Sequence, residues 1–321
     1  MDRRTFFLRL TQTALVGAGF GAAAAFTFDA RYPVRRRGTK GKALRRFTTP
    51  VAAGTPRAVV ARGKDPVANV RAALDKLGGI RAFIQRGDRV LLKPNAAFDR
   101  TPELAANTSP EVVAEVIRQC RDAGAKEIVI TDVTLFDAER CWESSGLGKV
   151  ARSLGVRVLM PKERDFVETR IDGVIIETWP ALKALFAVDK VINLPTVKHH
   201  RLARVTLGMK NWLGAIGGQR HRLHQKLDQS IVDFAKAIQP TLTILDGSRL
   251  LMDHGPTGGS LGDVKRGDTV IAGWDQVAVD RLALPLLGAD VAEVPHLTAA
   301  ARNGLGRIRL EPSEWAEIVT G

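Results

Sequence analysis

The sequence predicts an α/β protein with a largely parallel sheet flanked by helices, built as one large domain or two closely packed lobes. From about Arg57 onward, short β-branched runs alternate with amphipathic helical patterns, the signature of strand–helix–strand construction. Polar residues gather just after several of those runs, where the strands of a parallel sheet share one edge. With 321 residues, the chain can bury about three quarters of its unfolded surface, so its core needs neither disulfide nor structural metal.

Strands are expected at 58–61, 89–93, 127–131, 157–160, 190–193, 241–245 and 269–272. The apolar cores of five are Val59-Val60, Val90-Leu91-Leu92, Ile128-Val129-Ile130, Val191-Ile192 and Val270-Ile271. One helix opens at Ser109-Pro110-Glu111, with an N-cap residue, a proline at the first helical position and an early acid. Val112, Val113, Val116 and Ile117 give its apolar stripe, and Gly124 ends it. A second is expected over 275–286, with Val277, Leu282 and Leu286 among its apolar positions. Four segments that follow strands are expected to share one site: Lys93-Pro94-Asn95, Asp132, Asn193 to His199, and Asp246-Gly247.

The N-terminus reads Met1-Asp2-Arg3-Arg4-Thr5-Phe6-Phe7, followed by an uncharged run over 10–28 rich in Ala and Gly. Residues 1–30 resemble a twin-arginine export signal, which implies the export machinery as a partner and a periplasmic destination. A retained membrane anchor is the alternative, since 19 uncharged residues nearly match a bilayer core of about 30 Å. Residues 31–56 are expected to be a basic, disordered linker: 31–46 holds eight basic residues and no acid. It would be a solvated spacer or an attachment to an anionic membrane surface.

The formal net charge is +14. One unit lies in residues 1–30 and eight in residues 31–46, which leaves +5 for the rest. Nucleic acid is therefore not an expected partner, and no aromatic stacking motif accompanies the charges. Composition, at 45% hydrophobic and 26% charged, excludes wholesale disorder, a collagenous fibre and a polytopic membrane protein. Two cysteines are too few for an iron–sulfur cluster held by cysteine alone.

The remaining charge is concentrated over 191–227, which contains no Asp or Glu but holds seven Lys or Arg and four of the six histidines. A plain solvated face mixes signs, so this stretch is expected to attract an anion. Its Lys198 and Lys210, together with Lys93, would hold a small anionic ligand or cofactor, and Asn95 and Asn211 would orient it. Thr257, in the glycine-rich turn Asp253-His254-Gly255-Pro256-Thr257-Gly258-Gly259, joins the ligand-binding candidates. Asp132, His199 and Asp246 are the candidate acid or base groups. His221 and His224, three apart, would share one helical face and could contribute to a divalent metal site, although the positive neighbours oppose a cation. There is no P-loop, no dinucleotide fingerprint and no nucleophile elbow.

Taken in order, Val90-Leu91-Leu92-Lys93-Pro94-Asn95, Thr108-Ser109-Pro110, Asn193-Leu194-Pro195-Thr196-Val197-Lys198-His199, Thr206-Leu207-Gly208-Met209-Lys210-Asn211-Trp212-Leu213-Gly214, Asp246-Gly247, Gly255-Pro256-Thr257 and the segment 275–280 resemble the domain of unknown function 362 family. Some members of that family carry a ferredoxin-like cysteine cluster, which this chain lacks. The resemblance implies the fold and a set of polar positions, and no reaction. The function expected is an exported protein that binds a small anionic ligand or cofactor at the sheet edge, as a redox or metal-dependent enzyme or a relative of one. The alternative is a non-catalytic accessory protein that assists a membrane-associated redox partner.

Overall fold

The structure is a computed structural model that describes residues 40–321. The expected export signal and the basic residues before Lys40 lie outside the described residues.

In chain order the first elements are β1 (Lys42–Ala43), β2 (Ala58–Arg62), α1 (Pro66–Lys76), β3 (Arg89–Pro94), α2 (Pro110–Asp122) and β4 (Glu127–Thr131). Next come α3 (Ala138–Ser144), α4 (Leu147–Ser153), β5 (Arg157–Leu159), β6 (Phe166–Arg170), β7 (Thr178–Leu182), β8 (Lys190–Leu194), β9 (Thr196–His200) and β10 (Arg204–Thr206). The chain finishes with α5 (Gly208–Asn211), α6 (Leu227–Ala237), β11 (Leu242–Leu251), β12 (Val264–Gly273), α7 (Gln276–Ala283), α8 (Pro295–Arg302) and β13 (Trp315–Val319).

Eight strands form a continuous path in the order β13-β2-β12-β11-β8-β3-β4-β5, with β9 joined to β11 and β10 to β9. The half from β11 to β5 is parallel: Leu92 pairs with Ile130 on one side and Ile192 on the other. The antiparallel exceptions on this path are the two edges of β12. A smaller sheet, β1-β6-β7, stands apart.

Side chains alternate across a strand, and here both faces are apolar. Val60, Leu91, Val129, Val191, Leu245 and Ile271 face one core with Phe234, Val277, Leu297 and the small sheet's Trp179 and Ala181. Their neighbours Val59, Leu92, Ile130, Ile192, Ile244 and Val270 face the other, against Val70, Leu74, Val116 and Ile117 of α1 and α2. Burying each such side chain favours folding by about 1.5–3 kcal/mol. Because the same six strands supply both cores, the described residues form one three-layered unit.

The strands and the two helices fall where expected, with one difference of length. β11 and β12 each run ten residues and pair as a long hairpin, with a register shift between Gly247 and Arg249. Their outer halves carry Ser248, Arg249, Lys265 and Arg266, which lack the apolar pattern of the inner halves.

The disordered linker expected over 31–56 does not hold for residues 40–56. Lys42–Ala43 pairs with β6, and Arg45 bonds Asp189 at 2.8 Å. Phe47 is only 1% exposed in the core, and its carbonyl accepts a bond from Thr241 Oγ1. One buried aromatic side chain and one ladder outweigh the charge that made this stretch look solvated. Cys120 and Cys141 are both free and buried.

Candidate functional site

At the carboxyl edge of the parallel strands lies a half-open cavity of about 170 Å³. Lys93 and Asn95 reach it from the end of β3, Asp132 from the end of β4, Lys198 and His200 from β9, Thr206 from β10, Lys210 and Asn211 from α5, and Arg220 and His224 from the loop beyond. Among the described residues that line it, Asp132 is the only carboxylate, set against three lysines and an arginine.

A buried network fixes the floor. Lys93, 1% exposed, sits 2.7 Å from Asp132 Oδ1 and donates to Asn211 Oδ1 at 2.9 Å and to the Pro94 carbonyl at 3.0 Å. Burial lowers its ammonium from the ordinary lysine range, and Asp132 opposes that shift. Asp132 also accepts from the Ala96 and Val133 amides, so both its oxygens are engaged. Gly214 closes the floor: a Cβ there would lie 1.9 Å from Asp132 Oδ1 and 2.5 Å from Lys93 Nζ. Only a residue without a side chain lets the backbone approach this pair.

The asparagines tie the elements together. Asn211 donates to Asn193 Oδ1 and to the Lys93 carbonyl while accepting from Lys93 and Asn95. Asp280 of α7 accepts from the Gly208 and Met209 amides and so anchors the start of α5. Burial pushes the Asp280 carboxyl up to about 7.

Lys198, fully buried, donates to Asn95 Oδ1 at 3.2 Å and to the Ala106 carbonyl. Its Nζ lies 4.3 Å from the centre of the Phe98 ring, whose negative face favours a cation. Burial and then the charge of Lys210 hold it well below the ordinary lysine range. Lys210 is half-buried, and burial followed by the charge of Lys93 pushes it down to about 7. Among the described residues its Nζ has no hydrogen-bond acceptor. Nor does the buried Thr206 Oγ1 in the wall of the same cavity. Arg220 donates to the carbonyls of Val133, Leu213 and Thr134 and is lowered by burial.

Of the residues expected from sequence, Lys93, Asn95, Asp132, Lys198, Lys210, Asn211 and His224 meet in this cavity. His199 and Thr257 line an adjoining, more open one, which shares His200, His224 and Pro256 with it. His199 Nδ1 accepts from the Gly255 amide at 3.3 Å. Asp246 does not line the cavity: its Oδ2 accepts from the Ser109 amide and its Oδ1 from Ser248, so it ties the start of α2 to β11.

His221 is exposed, and His224 Nδ1 lies 3.1 Å from its backbone carbonyl. Among the described residues no group of three or more His, Cys, Asp or Glu is placed to hold a metal ion.

His200, Thr206 and Arg220 are functional candidates that sequence reasoning did not single out. Two signals point to the first pair. Lys198 and His200 are two apart and share a face of β9, and Thr206 is the direct antiparallel partner of Lys198. His200 Nδ1 accepts from both the Leu202 and Ala203 amides at 3.1 Å, and burial holds the ring neutral.

Fold and site define an α/β protein with a basic cavity at the edge of its sheet. The chain belongs to the family described as Domain of unknown function (DUF362), which matches residues 90–285. It is 30% identical over 247 residues to a thylakoid-associated protein of Synechocystis sp., covering 74% of this chain and 75% of that one. Among solved structures it is similar to the lactate racemase apoprotein from Thermoanaerobacterium thermosaccharolyticum, with a TM-score of 0.43 and 8% identity over 71% of this chain. The chain spans 56% of that protein's length. Among the described residues, no helix is long and apolar enough to cross a membrane.

Proposed function

We propose that the cavity binds a small anion, a carboxylate or phosphate group carried on a compact molecule. The observation that carries this is the imbalance of charge: Lys93, Lys198, Lys210 and Arg220 face one carboxylate, which Lys93 already occupies. The lysines are lowered first by burial, and Lys198 and Lys210 next by the charge of a neighbouring lysine, and an anion would offset both effects. Thr206 Oγ1 and Lys210 Nζ, both without partners among the described residues, supply the unspent donors.

Isothermal titration of the full chain with inorganic phosphate and with oxalate tests this. Saturable binding of at least one is expected, weakening with added salt. Lys198→Ala and Lys210→Ala should each reduce affinity about 10- to 100-fold, the equivalent of one charge-assisted hydrogen bond. Deleting residues 31–39 should leave it unchanged. Absence of saturable binding to both probes overturns the reading.

The twin-arginine-like N-terminus supports export to the periplasm, with the export machinery as a partner. The alternative, an accessory protein attached to a membrane surface through its basic N-terminal segment, is favoured by one observation: the similar cyanobacterial protein is thylakoid-associated. Co-sedimentation with anionic vesicles separates the two. Binding lost on deletion of residues 31–39 supports attachment, whereas no binding by the full chain removes it.

A further inference from the structure

The three lysines of the cavity are not equivalent, and the difference concerns chemistry rather than charge. An ammonium carries three hydrogens to donate. Lys93 places three acceptors around its Nζ: Asp132 Oδ1, Asn211 Oδ1 and the Pro94 carbonyl. Lys198 has Asn95 Oδ1, the Ala106 carbonyl and the face of Phe98. Both are therefore held as donors by their surroundings. Lys210 has no acceptor among the described residues, and it lines the cavity with the cations Lys93, Lys198 and Arg220 and the unpartnered hydroxyl of Thr206. No acceptor among the described residues bonds its protonated form. An amine so placed keeps its lone pair available to attack a carbon.

We propose that Lys210 is a carbonyl-capturing nucleophile, and that the ligand is a small anionic carbonyl compound, of which a 2-oxo acid is the simplest. This rests on the anion-binding reading of the same cavity. Arg220, which keeps donor hydrogens beyond its three carbonyl bonds, bonds the carboxylate, and Lys198 contributes its charge in the same wall, while the adjacent carbonyl carbon meets Lys210 Nζ. The nitrogen lone pair forms the C–N bond as the carbonyl π bond breaks. The oxygen takes a proton from Lys93, which recovers it from the attacking nitrogen. The resulting hydroxyl takes the second amine hydrogen and leaves as water, and the nitrogen closes the C=N bond. Both hydrogens of the amine end on the departing water, so the step needs no oxidant, reductant or metal. Burial and the nearby charge of Lys93 bring Lys210 down to about 7, so a substantial share of it is the free amine that the attack requires near neutral pH.

The test is trapping. The full chain is incubated with pyruvate or with glyoxylate, treated with borohydride, and digested for peptide mass mapping. One reduced adduct at Lys210 is expected, with at most minor labelling of the surface lysines Lys64 and Lys76. The adduct should be lost in Lys210→Arg, should form more slowly in Lys93→Met, and should be suppressed by phosphate or oxalate. Wild-type protein that binds phosphate or oxalate by titration but yields no adduct at Lys210 with either carbonyl probe overturns the nucleophile and leaves the anion site standing. An adduct spread evenly over exposed lysines also overturns it. Failure to bind any anion overturns the underlying site itself. Because Lys210→Arg keeps the positive charge, a fold check by circular dichroism distinguishes loss of the amine from loss of structure.

Discussion

Replacing Asp132 with alanine should be among the most damaging single changes at the site. The Lys93–Asp132 pair is 2.7 Å apart with both side chains 1% exposed, so solvent does little to screen either charge. Removing one member of a buried pair leaves the other uncompensated and costs about 3–5 kcal/mol. The Ala96 and Val133 amides lose their acceptor as well. A central value of about 4 kcal/mol corresponds to a fall in melting temperature of about 8–16 °C for a domain of this size. Urea unfolding gives the same quantity if the midpoint moves while the slope with denaturant does not. Part of the penalty should fade as pH rises. Without Asp132 the folded state sheds the Lys93 proton more readily than the unfolded chain does, so stability increases with pH up to about 10.4. Adding Lys93→Met to Asp132→Ala should cost less than the sum of the two single changes, by about 2–3 kcal/mol. A single-mutant cost below about 1 kcal/mol, the value of an exposed pair, or strict additivity in the double mutant, would refute the assignment of a buried, mutually dependent pair.

Four further outcomes follow from the structure. The Asp280 carboxyl, raised to about 7, binds a proton in the folded state that the unfolded chain has released, so its contribution to stability falls between about pH 4 and 7; Asp280→Asn should flatten that part of the curve. Lys210, lowered to about 7, acts with the opposite sign between about pH 7 and 10.4, and Lys210→Met should remove a rise in stability there, with thermal melts across pH reading both. Thr206→Val removes a buried hydroxyl that has no partner, so stability should hold or improve by about 1 kcal/mol while phosphate affinity measured by titration drops. Phe47→Ala should cost about 3–5 kcal/mol, a large loss at a position in a charge-rich segment; a loss under about 0.5 kcal/mol by denaturant unfolding would show that residues 40–56 are peripheral to the fold.

The alternating pattern made the strands legible, because Val90-Leu91-Leu92 and Ile128-Val129-Ile130 are apolar on both faces and so must lie inside a layered sheet. Strand ends are where a parallel sheet concentrates function, and that rule alone brought Lys93, Asn95, Asp132 and Lys198 together. It could not separate His199 from His200. That choice depends on which parity of β9 faces the cavity, and Lys198 fixes it only once β9 is known to be a strand. Asp246 follows an apolar run as Asp132 does, yet it meets the Ser109 amide and Ser248 rather than the cavity. The difference lies in pairing: β11 continues past Asp246 as half of a hairpin, so the residue is inside an element and not at its end. Residues 40–56 misled through composition, since the positive charges around them hid the single Phe47 that docks this segment.

The two backbone bonds accepted by His200 Nδ1 have a consequence for selectivity. They fix the tautomer, leaving a hydrogen on Nε2 and no free basic nitrogen. With both oxygens of Asp132 and the side-chain oxygens of Asn95 and Asn211 already engaged, uncommitted acceptors are few beside Thr206 and the free-amine form of Lys210, and most of the polar wall gives hydrogen bonds. Such a wall discriminates by a guest's state of ionisation: an oxyanion that has lost its last proton can satisfy every donor it meets, whereas one still carrying a hydroxyl must find a rare acceptor or leave that hydrogen buried and unpaired. The cavity would therefore read the proton count of its ligand as well as its charge.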